Sequence, residues 1–176
     1  MSDYNVVLLI EQALSQQDAV QVWSLHNEVE EPVHYQVLLP VENAATSIES
    51  GIGALGAADG IAVPALSGVD LEDLQRDLID TCQRDLDASV AALVAAGARA
   101  TGEPVSSDPI AALAAKVQDL DAREAIILTR PHVVAEFFHL DWTSRARRKL
   151  GVPVLHLIEH ETFDEQAGEG EGVTGL

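Results

Sequence analysis

The stretch SDPIAALAAKVQDLDAREAIILT, residues 107–129, holds a helix and the strand that follows it. Asp108-Pro109 is a helix start. An Asp side chain caps the orphan amides of the first turn, and Pro is tolerated at the first helical position because its missing N–H is no loss there. Ile110, Leu113, Ala114, Val117 and Leu120 then recur at three- and four-residue spacing, which places them on one helical face. At Ala125 the period changes. Ala125–Thr129 is a short, continuous apolar run and reads as a buried strand.

The same alternation extends in both directions. Upstream, Asn5–Ile10 (NVVLLI) is a buried strand. Ser15 and Asp18 form a capping box with Asp in the Glu position. Ala19, Val22, Trp23 and His26 share one face of a first helix that should end near Glu30, before Pro32. Val33–Val41 is a second strand. A long irregular connection, Asn43–Gly68, leads to the clearest helix, with Asp70 as its N-cap. Its apolar stripe runs from Leu71 through Leu78, Cys82 and Leu86 to Leu93, and Gly97 closes it.

Ala98–Val105 is a further strand, carrying Gly102 and Pro104. Downstream of Thr129, a helical region covers His132–Leu150 and Val152–Ile158 is the last strand. Five continuous apolar strands alternating with four helical regions give the α/β class: a single-domain, doubly wound, five-stranded parallel sheet with helices on both faces. The domain should span residues 1–161. The Gly- and Glu-rich segment 162–176 reads as a flexible tail.

At 176 residues and 47% hydrophobic content the chain can bury one sizeable core, built from aliphatic residues because aromatics make up only 4%. The single cysteine, Cys82, has no partner for an internal disulfide and lies on the helix stripe, where a small core residue is expected. No apolar run approaches the roughly 20 residues of a membrane span, and the expected setting is the cytoplasm. A formal charge of −19 opposes general affinity for nucleic acid or anionic lipid. The cations are clustered, however. Arg130, Arg145, Arg147, Arg148 and Lys149 are five of the ten Lys and Arg, so they either solvate one helix face or attract a small anion or acidic partner.

Gly51-Ile52-Gly53-Ala54-Leu55-Gly56 matches G-x-G-x-x-G, but a dinucleotide site needs those glycines directly at a strand end and a helix start. Here residues 42–50 intervene, and Gly60 and Pro64 interrupt any helix that follows. It reads as connection. His132, Glu136 and His139 stand at i, i+4 and i+7, a weak metal pattern with no fourth ligand nearby. An amphipathic helix with a polar outer face gives the same spacing. No nucleophile elbow, phosphate-binding P-loop or zinc-spaced cysteine pair is present, so no catalytic group is assigned and no cofactor is expected.

The run RATGEPVSSDPIAALAAKVQDLDAREAIILTRPH (residues 99–132), followed by GVPVLHLIEH (residues 151–160), resembles the carboxyl-terminal half of the universal stress protein family. The resemblance spans about Leu71–His160 and implies the adenine nucleotide alpha hydrolase-like version of the fold. ATP-binding members carry Gly-x2-Gly-x9-Gly-Ser/Thr after the fourth strand. On this chain those positions are Thr129, His132, Trp142 and Thr143, so only the final hydroxyl is kept. Pro131 removes one amide, and glycines matter because backbone must approach phosphate closely. The family's acidic residue after the first strand corresponds to Glu11.

The resemblance therefore implies a non-enzymatic stress-type protein that does not bind ATP through the usual loop. It would act as a homodimer through Val152–Ile158, with a protein partner that the sequence does not identify. The open alternative is an anion- or nucleotide-binding module using Thr129–Thr143, in which Arg130, His132, Thr143 and the basic helix hold the ligand.

Overall fold

A computed structural model describes residues 3–41, 71–106, 108–130 and 149–158. The chain runs β1 (Tyr4–Ile10), α1 (Gln16–Ser24), β2 (Val33–Pro40), α2 (Leu71–Ala95), β3 (Arg99–Val105), α3 (Pro109–Asp119), β4 (Glu124–Thr129) and β5 (Val154–Ile158). All five strands are parallel, in the order β3-β2-β1-β4-β5. This is the doubly wound sheet that the apolar runs imply.

β1 lies at the centre, with Leu8 opposite Val37 on one side and Ile126 on the other. A strand covered on both faces must be apolar throughout, and Val6 to Ile10 are each at most 6% exposed. Alternate residues serve different layers. Val6, Leu8 and Ile10 pack with Ala19, Val22 and Leu86 from α1 and α2. Val7 and Leu9 pack with Leu113 and Val117 of α3 on the opposite face.

The helix boundaries have local causes. Ser15 and Asp18 make the expected reciprocal box at the start of α1, and Asp108 caps α3 by accepting from the Ala111 amide at 2.7 Å. α2 ends in a Schellman motif. Ala98 N–H donates to the Leu93 carbonyl and Gly97 N–H to that of Val94, both at 3.0 Å, with Gly97 at φ +105°. α3 ends the same way, through Ala122 to Val117 and Asp121 to Gln118, but there the left-handed position is held by Asp121 at φ 47°.

The last strand begins at Val154 and not at Val152, and the end of α1 departs further from expectation. α1 stops at Ser24, not near Glu30, and isolated turns continue to Val29. The cause is His26, which is 5% exposed and leaves the helical path to bond Tyr35 and Glu124.

β3 is a complete edge strand despite Gly102 and Pro104. Pro is tolerated at an edge, and a Cβ on Gly102 would lie 2.7 Å from Leu86 Cδ1, so α2 requires that glycine. The Asn43–Gly68 connection, Asp70, most of the His132–Leu150 region and the tail lie outside the described residues. No helix among the described residues is long and apolar enough to cross a membrane.

Candidate functional site

The strand order identifies where the fold can bind. From β1 the chain first builds outward through β2 and β3, then returns to add β4 and β5 on the other side. In such sheets ligands sit outside the carboxyl ends of the strands where this reversal occurs. Here that crevice opens between β1 and β4. Glu11 immediately follows β1 and Arg130 immediately follows β4, so the two residues face each other across it.

They are tied together by three hydrogen bonds. The Arg130 backbone N–H donates to Glu11 Oε2 at 3.0 Å, while its Nε and Nη2 donate to Oε1 at 3.0 and 2.6 Å. Both ends of the ion pair keep access to solvent, Arg130 at 41% and Glu11 at 24% exposure. Beside the pair is a cleft of about 220 Å³, lined by Glu11, Gln12, Leu39, Pro40 and Arg130 from the strand ends, and by Leu78, Thr81, Cys82 and Asp85 from α2.

Cys82 is not a nucleophile in waiting. Its Sγ donates to the Leu39 carbonyl at 3.6 Å, and burial, reinforced by the Asp85 carboxylate, pushes the thiol above its ordinary range.

On the other face of the sheet, Thr129 is 4% exposed, and its hydroxyl lies 2.8 Å from Nε2 of His156 on β5. Burial lowers the His156 imidazole below its ordinary value, which favours the neutral ring. A neutral Nε2 without its proton accepts from the Thr129 hydroxyl.

Of the residues singled out in the sequence, the structure thus brings Glu11 and Arg130 into contact, while Thr129 turns to the opposite face and His156. Lys149 is exposed, in the helical turn before β5. His132, Trp142, Thr143, Arg145, Arg147 and Arg148 lie outside the described residues, as do Glu136 and His139 of the possible metal triad. Among the described residues no group of three or more His, Cys, Asp or Glu side chains could hold a metal ion.

A second polar cluster, which sequence patterning missed, sits at the amino ends of the strands. Tyr35 OH donates to the Val22 carbonyl at 3.2 Å and lies 2.6 Å from His26 Nδ1, and His26 Nε2 bonds the Glu124 carboxylate. Tyr4 tilts against the His26 ring, and the Arg123 guanidinium lies over Tyr4. This hydroxyl–imidazole–carboxylate chain has the order of a catalytic relay, but Tyr35 is fully buried. Burial, then the nearby Glu124 carboxylate, raises the phenol well above its ordinary range. No substrate can reach that oxygen, so the cluster fastens β1, β2 and β4 to the turn after α1. A tyrosine in the middle of an apolar strand was the available signal, since a buried hydroxyl needs a partner.

No family model matches the sequence, and no curated protein matches it. Comparison of three-dimensional structures does find similar folds. The universal stress protein from Archaeoglobus fulgidus superposes with a TM-score of 0.53 at 13% identity, covering 89% of this chain and 94% of that one. The fold is that of the universal stress proteins. A universal stress protein from Archaeoglobus fulgidus in complex with dAMP gives 0.51 at 12% identity, over 89% and 98% of the two chains. Hypothetical protein MJ0577 gives 0.59 at 10% identity, over 92% of this chain and all of that one. The universal stress fold implied by residues 99–132 and 151–160 is therefore present, at identities so low that only the fold is shared by demonstration.

Proposed function

We propose that this chain is a non-enzymatic, cytoplasmic protein of universal stress type that acts through a homodimer and contact with other proteins, without holding ATP through a glycine loop. One observation carries the reading. The backbone amide just past β4, where a phosphate-binding loop would begin, already donates to Glu11. The sequence agrees, because Thr129, His132 and Trp142 stand where nucleotide-binding relatives of this fold carry glycine. Dimerisation is supported by β5, a largely apolar edge strand that pairs only with β4 among the described residues. Such an edge invites pairing with another strand.

The Archaeoglobus fulgidus complex makes dAMP the natural competitor ligand to test. Titration of the wild-type protein with ATP and dAMP should give no saturable binding, while light scattering after size exclusion should give twice 18.8 kDa. A monomer at high concentration, or stoichiometric nucleotide, would sink this reading. The cleft beside Glu11 favours a second one, a module for a small ligand held near Arg130, with the Arg145–Lys149 cluster adding positive charge.

A further inference from the structure

We propose that the carboxyl end of β4 is a small-anion site whose resident occupant is the chain's own Glu11 carboxylate. This deepens the reading above, on which it rests: the strand end is closed to nucleotides because it is already filled.

The Glu11 carboxylate is held as a bound ligand would be. A backbone N–H takes one oxygen and a guanidinium edge takes the other, at 3.0, 3.0 and 2.6 Å. A directed amide on one oxygen and two guanidinium donors converging on the other together satisfy both oxygens of the anion through charge-assisted hydrogen bonds. It stands at the reversal of strand order, where this class of sheet binds ligands. Glu11 reaches the site from a bend beyond the β1 ladder, so its departure breaks no strand pairing. An incoming anion competes with a tethered carboxylate whose effective concentration is high, of the order of millimolar or more. The wild-type site is therefore weak by construction.

The surroundings limit what can replace Glu11. The adjoining cleft of about 220 Å³ falls below the roughly 300–1,000 Å³ of ordinary small-molecule pockets. Leu39, Pro40 and Leu78 offer apolar contact, and the Asp85 carboxylate opposes a second negative charge. A net charge of −19 repels polyphosphates from a distance. The fitting class is a monoanion, either a carboxylate or a phosphate group in its singly charged form, with a compact body carrying no further negative charge.

The test uses the full chain as wild type, Glu11→Ala and the double variant Glu11→Ala/Arg130→Ala. Each is titrated with inorganic phosphate and with acetate at constant ionic strength, following thermal melting and the Arg130 amide resonance where that residue is present. Glu11→Ala should bind phosphate about tenfold or more tightly than wild type, the equivalent of one charge-assisted hydrogen bond released. The double variant should return to the wild-type level. Equal affinity in wild type and Glu11→Ala, or a gain that survives loss of Arg130, would overturn the proposal. Should Glu11→Ala fail to fold, Glu11→Gln keeps the size and one acceptor but drops the charge, and the same comparison decides. Tight ATP binding by the wild-type protein would instead refute the functional reading and leave the ranking of the variants intact.

Discussion

Two residues show how the buried polar chemistry is settled. Tyr35 has its hydroxyl between the Val22 carbonyl and His26 Nδ1. Tyr35→Phe keeps the packing but leaves His26 Nδ1 buried without that partner, while the Val22 carbonyl keeps the Leu25 amide, so urea unfolding should show a loss of about 1–3 kcal/mol. An unchanged midpoint would mean the cluster contributes no stability. His156 sets a pH dependence. Its folded-state value lies below the ordinary 6.5, because burial disfavours the charged ring, and His34 is lowered too, by burial and then by Arg99. Below pH 6.5 the unfolded chain takes up protons that the folded chain refuses, so stability falls as the pH drops and levels off below the folded values. Replacing His156 with Gln should flatten that acid-side slope. A slope identical to wild type in denaturant titrations would exclude His156 as its source.

At the scale of elements, strand continuity and capping were legible in the sequence because both are local. Asp108-Pro109, Ser15 with Asp18, and Gly97 mark boundaries through bonds spanning at most five residues. The end of α1 was not legible, since it depends on His26 meeting Glu124, 98 residues away. Gly102 reads as a weakness in β3 until α2 lies against it. Gly102→Ala should cost about 1–3 kcal/mol, because Leu86 is 1% exposed and has no room to yield. A neutral result would show that α2 can shift. Asp121 offers the opposite change. Asp121→Gly relieves the left-handed strain at φ 47° and should raise stability by about 0.5–1 kcal/mol, whereas a loss would mean the Asp side chain supports the turn.

For the whole molecule, the parallel sheet follows from uninterrupted apolar strands, but its order does not, and the order is what makes a site. Glu11 and Arg130 stand 119 residues apart, so only the adjacency of β1 and β4 brings a carboxylate onto the Arg130 amide. Thr129, His132 and Trp142 were legible in the sequence, while the Glu11 carboxylate on the Arg130 amide was not. Charge bears on assembly as well. Two chains of −19 repel each other, so a dimer joined along apolar β5 should tighten as salt screens that repulsion, which sedimentation equilibrium at low and high salt can check. Weakening with salt would point instead to an interface made by the basic cluster.

The most direct test of the account is a crystal structure of the wild-type protein grown with ATP or dAMP in excess. The Glu11 carboxylate should lie on the Arg130 amide and guanidinium, with no phosphate at the end of β4. A nucleotide phosphate in that position, with Glu11 turned away, would contradict it.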